Sequence, residues 1–202
     1  MRALLTVSRG IDAATSSIGR AVFWLILVAV LVSAGNAIVR KLFNTSSNAW
    51  LELQWYLFAA VYMLAAAYTL QRNEHIRIDI ISNLLSKRAR DWIDIVGHCL
   101  FLLPVTALMI YQLAPWALDG IQSGEVSANA GGLVLWPARL VVLAGFVLLF
   151  LQGISELIKR IAIISGDLPD DKLDGGHPAA GRSAGHLDVP TVMGDPAADQ
   201  KR

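Results

Sequence analysis

The sequence predicts an all-α integral membrane four-helix protein, with an interfacial amphipathic helix between spans two and three. Three observations carry that prediction. Of the 202 residues, 55% are hydrophobic and only 16% are charged, whereas an ordinary soluble domain carries roughly 25% charged residues. The apolar residues gather in four stretches, each long enough for the about 20 helical residues that a hydrocarbon core requires. The charged residues fall between these stretches or at their ends.

The elements follow in order. Residues 1–19 form a segment whose apolar stretch is short and interrupted by Arg9 and Asp12, with no small-residue cleavage site after it. It makes a poor secretory signal, so the first span, near 20–39, is expected to remain as an uncleaved anchor. Span two, near 49–70, carries Glu52 and Gln54 in its first turns, followed by Tyr56. An anion such as Glu52 is favoured near a helix N-terminus. Span three, near 92–114, opens with Asp94 and His98, closes with Gln112, and holds Pro104, which predicts a kink. Span four, near 133–157, has Pro137 in its first turn, where a missing N–H costs nothing, Trp136 at the interface, and Gln152 and Glu156 low down. Arg139 reads as a side chain snorkelling to the outer surface. Residues 166–202, rich in Pro, Gly, Asp and Ala, cannot build a core and are expected to form a disordered cytoplasmic tail; 20–165 form the membrane domain.

Between spans two and three lies "RNEHIRID", too patterned for a plain loop. At about 100° per residue, 72–86 sorts into an apolar side (Ile76, Ile80, Ile81, Leu84 and Leu85, with Ile78 at its margin) and a polar side (His75, Asp79, Ser82, Asn83 and Ser86). A strand beside a bilayer would leave its edges unpaired, so an amphipathic helix in the interface is the better reading. Lys87, Arg88 and Arg90 at its end suit anionic headgroups of membrane lipid. Arg77 points into the apolar side, where it either snorkels or meets an acid on a partner. His75 and Asp79, four apart, form either a solvated pair or part of a docking surface.

Lys and Arg near span ends set orientation. The N-terminal segment offers Arg2, Arg9 and Arg20, the first connection Arg40 and Lys41, the second Arg72, Arg77, Lys87, Arg88 and Arg90, and the third none; Lys159 and Arg160 follow span four. Both termini and the second connection are therefore expected in the cytoplasm. The Gly- and Ser-rich third connection, "DGIQSGEVSANAGGL", then faces the opposite side.

The net charge of +1 and the lack of a basic stripe give no sign of nucleic-acid binding. Cys99 is the only cysteine, which excludes an internal disulfide and a thiolate metal cluster; it reads as a small apolar residue of span three. No Ser–His–acid set, H-E-x-x-H or phosphate loop appears, so no enzyme activity is expected. The span centres hold Leu, Val, Ala and Phe, and no span shows the paired breaks of a transporter's substrate site. Two alternatives stay open. The chain could be a self-sufficient four-span carrier with Glu52 as its proton or cation site, or a membrane redox subunit holding haem between His75 and His98.

"NAWLELQWYLFAAVYMLAAAYTLQRNEHIRIDII", the basic "SKRARDWID" and "SGEVSANAGGLVLWPARLVVLAGFVLLFLQGISELIK" resemble the small membrane subunit, DctQ-like, of tripartite ATP-independent periplasmic (TRAP) transporters, over about 20–165. The most specific pieces are Glu52, Gln54 and Tyr56, then "EHIRID", then "SGEVS…GGL". The resemblance implies a non-catalytic scaffold in the bacterial inner membrane. It would support a large multi-span permease subunit in cation-coupled uptake of organic acid anions, delivered by a periplasmic substrate-binding protein. It implies no cofactor on this chain, and places the sodium site on the large subunit. Glu52, Gln54, Tyr56, His75, Arg77, Asp79, Gln152 and Glu156 become candidates for subunit-interface or structural roles. Ser123, Gly124, Glu125, Ser127, Gly131 and Gly132 become a candidate docking loop for the binding protein, with Glu125 open between a solvated acid and a docking contact.

Overall fold

The computed structural model describes residues 2–45, 47–72 and 87–167. Among them the regular structure is helical, apart from one antiparallel bridge between Val126 and Val134 in the loop 124–135. The helices are α1 (Arg2–Phe43), α2 (Asn48–Gln71), α3 (Lys87–Gly97), a π-helical turn (His98–Leu102) that runs straight into α4 (Leu103–Ser123), and α5 (Trp136–Ile164). Four helical stretches are long and apolar enough to cross a membrane: α1, α2, Trp92–Ser123 and α5. The all-α, four-span expectation holds. The amphipathic helix expected at 72–86 lies outside the described residues beyond Arg72, as does the tail beyond Asp167.

The first difference from the sequence reading is the length of α1. The helix does not begin near Arg20 but at Arg2, and runs 42 residues, about 60 Å at 1.5 Å per residue. Its buried residues are Leu5, Ser8, Thr15, Gly19, Val22 and Ala29. With half-buried Asp12, the first five of these advance in steps of three and four from Leu5 to Val22. That is the spacing of a continuous helix–helix seam. Because the seam is built from small and polar side chains, it left no hydrophobic stripe to read.

α5 is the central element. It packs against α1 and α2 on one side and α4 on the other, while α1 and α2 pack together. The crossings are made at glycines. A Cβ on Gly145 of α5 would lie 2.7 Å from Met63 Cβ and 3.0 Å from Met63 O of α2. A Cβ on Gly19 of α1 would lie 2.5 Å from the Tyr68 ring, and one on Gly153 of α5 2.9 Å from Leu102. The large apolar side chains point outward instead: Trp24, Tyr62, Phe101 and Tyr111 are all more than half exposed. Cys99, on the π-helical turn, is exposed as well.

The kink expected at Pro104 takes the form of that π-helical turn. Proline has no N–H for the carbonyl one turn back, and its ring crowds that carbonyl. The wider turn just before it absorbs the misfit, with Leu103 N–H donating five residues back to His98 O. Thr106 Oγ1 reinforces the junction by donating to Leu102 O (2.6 Å) and Leu103 O (3.2 Å).

Gly145→Leu should separate α2 from α5, since Met63 backbone cannot yield. Overpacking of this kind costs about 1–3 kcal/mol, so a fall in the thermal midpoint in detergent is expected. Gly10→Ala and Gly97→Ala, where a Cβ meets nothing within 4 Å, should not lower the midpoint and should raise it slightly, since alanine is the better helix former.

Candidate functional site

Two polar clusters sit at opposite ends of the helix bundle. The first gathers around Glu52, which is only 4% exposed. Its Oε1 accepts from Ser127 Oγ (2.5 Å) and Asn129 Nδ2 (2.8 Å), and its Oε2 accepts from Leu133 N (2.6 Å). One turn before it, Asn48 Nδ2 donates to Ala130 O (2.9 Å); one turn after it, Tyr56 OH donates to Val134 O (3.2 Å). Asn48, Glu52 and Tyr56 are spaced by four, so they form a row on one face of α2. This row clasps the loop between α4 and α5 from Ser127 to Val134.

The loop is shaped to be held. Gly124 caps α4 at φ 61°, and Gly131 turns at φ 70°, a backbone region that glycine enters without steric cost. Gly132 N–H closes a turn onto Asn129 O (2.9 Å), and Ser127 N–H pairs with Leu133 O (2.9 Å). Gly132 itself faces the carboxylate: a Cβ there would lie 2.9 Å from Glu52 Oε1 and 2.6 Å from Ser127 Cβ. At the base of the loop Glu125 pairs with Arg139. The Arg139 guanidinium lies over the Trp116 ring, 4.7 Å from its centroid, and donates to Trp116 O (3.2 Å). Arg139 therefore does not simply snorkel to the surface. It ties the first turn of α5 to α4 and to the loop, and its stem lies so close to Gly120 that a Cβ there would come within 2.8 Å.

The second cluster joins the N-terminal part of α1 to the C-terminal part of α5. Asp12 Oδ1 accepts from Gln152 Nε2 and Ser155 Oγ, both at 2.8 Å, and Asp12 Oδ2 pairs with Lys159 Nζ at 3.2 Å. Glu156 Oε1 accepts from Gln152 Nε2 (2.9 Å) and Lys159 Nζ (2.5 Å). Ser8 and Ser155 hydroxyls meet at 2.7 Å. Gln71, the last residue of α2, donates to Asp12 O (2.9 Å) and accepts from Ser16 Oγ (3.0 Å), which brings α2 into the same knot. Close by, Arg160 pairs with Asp94 of α3 at 2.9 Å.

The sequence-derived candidates thus separate into groups. Glu52 and Tyr56 belong to the clasp, while Gln54, two residues on, faces elsewhere and borders a cavity with α1. Gln152 and Glu156 belong to the second knot. His75, Arg77 and Asp79 lie outside the described residues. In the candidate docking loop, Ser127 and Gly132 are turned in toward Glu52, Glu125 is bound to Arg139, and Gly124 and Gly131 shape turns. Ser123 Oγ accepts from Glu125 N (3.4 Å). As for haem, His98 Nδ1 is 2.6 Å from Asp94 O and Nε2 is buried without a partner, while His75 is not described. The residues missed from the sequence are Asn48, Asn129, Ser8, Asp12, Ser155 and Lys159. Their signal was spacing: Asn48 stands four before Glu52, and Gln152, Ser155, Glu156 and Lys159 recur at steps of three and four on one face of α5.

The family model for the DctQ component of tripartite ATP-independent periplasmic transporters matches residues 17–162, a range that takes in both clusters apart from Ser8, Asp12 and Ser16. Neither a curated protein nor a solved structure matches the chain.

Glu52→Ala should free the loop. A hydrogen bond to a charged group contributes about 1.5–3 kcal/mol, so amide exchange across 126–134 should quicken by roughly 30-fold or more on a loss of about 2 kcal/mol. Gly132→Ala should act in the same direction. Asp12→Ala should loosen the other end, seen as protease cleavage within the first 15 or so residues while the loop's exchange stays as it was.

Proposed function

The chain belongs to the DctQ family of TRAP transporters, a family of transporter components and not of enzymes, and from that premise we propose that it is the scaffold subunit of a TRAP-type secondary transporter. In this reading it is an integral protein of the bacterial inner membrane with both termini in the cytoplasm. It supports a large multi-span permease, which holds the sodium and substrate sites, in uptake of organic acid anions from a periplasmic binding protein.

The observation that carries this reading is how the buried carboxylates are used. Glu52 is committed to three donors of its own loop, and Glu156 to Gln152 and Lys159. A group that carries a proton or cation must exchange its partners during transport, whereas these hold helices and loop in one arrangement. That argues against the self-sufficient carrier. The outward faces supply the complementary feature: α1, α2 and α4 present large apolar side chains away from α5, a surface for lipid and for a larger hydrophobic partner. The inward-turned Ser127 and Gly132 support a loop whose motif residues set its shape, with the docking contact falling on the exposed backbone they position.

Pulled from native membranes in mild detergent, the tagged chain should bring down one much larger polytopic protein at equal stoichiometry. Alone in liposomes it should carry no organic acid. Uptake by the purified chain alone would overturn the scaffold reading.

A further inference from the structure

The first turns of α2 have a second polar face that the clasp does not use. Gln54 lies roughly 200° round the helix from Glu52. It borders an open-sided cavity of about 610 Å³, shared with Ser33, Asn36, Arg40 and Lys41 of α1 and with Asn44 just beyond it. Ser33, Asn36 and Arg40 advance by three and then four along one face of α1, with Lys41 beside Arg40. From Ser33 to Lys41 they span about 12 Å at 1.5 Å per residue.

Charge and hydrogen bonding both single this cavity out. It has two cations and no carboxylate in its lining. Among the described residues, neither Arg40 nor Lys41 has an ion-pair or hydrogen-bond partner for its side chain, and the same holds for the amides of Asn36, Asn44 and Gln54. Ser33 Oγ is buried with no partner at all. Elsewhere among the described residues the buried polar side-chain atoms are bonded except His98 Nε2 and Gln152 Oε1, as burial in a membrane protein demands. Cations in the last turn of α1 complement the helix dipole, but the dipole gives no reason for three amides and a hydroxyl to converge beside them. The same helix ends carry exposed Leu42, Phe43, Trp50 and Trp55, the apolar and aromatic surface found where acyl chains meet headgroups.

We propose that this cavity binds the headgroup of an anionic phospholipid, with Arg40 and Lys41 at the phosphodiester and Asn36, Asn44, Gln54 and Ser33 donating to phosphate and glycerol oxygens. A guanidinium beside an ammonium matches a phosphate's charge and its several acceptors. The cavity's reach toward Ser33 gives the glycerol ester groups polar partners, and the apolar flank of α1 receives the chains.

The test is native mass spectrometry of the delipidated full chain, titrated with phosphatidylglycerol, phosphatidylcholine or glycerol 1-phosphate. One phosphatidylglycerol should bind at least about tenfold tighter than phosphatidylcholine, and glycerol 1-phosphate should not displace it. Arg40→Gln with Lys41→Gln should abolish the preference, and Gln54→Leu, which leaves both charges, should weaken it. Arg20→Gln, an exposed cation bonded to Ser17 nearer the other end of α1, should leave it intact. Thermal midpoints equal to that of the unsubstituted chain confirm that the variants are folded. Equal binding of the two lipids, or a double variant that binds like the parent chain, overturns the site. Displacement by glycerol 1-phosphate assigns it to a soluble phosphate ester and overturns the lipid.

Discussion

In a bilayer, moving an apolar side chain from lipid to protein interior gains little, because the lipid tails are equally apolar. The architecture here depends on that constraint. Helices approach where glycine lets backbones or side chains come close: Gly145 at Met63, Gly19 at Tyr68, Gly153 at the π-helical turn, Gly120 at Arg139. The bulky side chains, which would fill a soluble core, are on the outside. What remains inside is small or polar, and interhelical polar contacts in membranes are worth only about 0.6 kcal/mol on average. A stable arrangement must therefore come from polar groups used several at a time.

That is how both ends are built. Glu52 accepts three hydrogen bonds, two of them from side chains and one from backbone, and each bond to a carboxylate is worth about 1.5–3 kcal/mol. The cluster outweighs single contacts of the average kind, so the loop's conformation follows the carboxylate and not the reverse. Asp12 plays the matching part at the other end. It is the acceptor on which Gln152, Ser155 and Lys159 converge, and its own carbonyl takes Gln71. Through it α1, α2 and α5 are joined where α1 extends beyond the span proper. α4 has no share in either knot. It is held through α5, by Arg139 on Trp116 and Glu125 and by Gly153 against Leu102.

The four spans and the all-α class were readable in the sequence because hydrophobic length is a collective signal that no single residue can spoil. Pro104 announced a break, although not that the chain would answer with a π-helical turn. The extent of α1 was hidden because its seam uses Ser8, Asp12, Thr15 and Gly19, residues that read as an interruption when only apolarity is counted. Glu52 could be singled out as an anion in the first turns of a span, yet its partners lie about 75–81 residues away in a loop of Gly, Ser and Asn. Composition says such a loop is polar; only geometry shows that it is folded round one carboxylate. Arg139 misled in the opposite way, since snorkelling is the simpler fate of an arginine near a span end and nothing local announces Glu125 and Trp116.

The same reasoning separates the two faces of α2. Where the chain needs a buried acid, it supplies the donors itself, down to a glycine that makes room for the oxygens. Beside Gln54 it supplies donors and cations but no acid, and it leaves Ser33 buried without a partner. A polar group withdrawn from water without a bond costs free energy, so one such atom can be tolerated as an imperfection of packing. Five further polar side chains converging on the same cavity, all of them donors and two of them cationic, are harder to account for that way. The missing complement is an acceptor-rich anion, and at the level of a span end the most abundant one is the phosphate of a lipid.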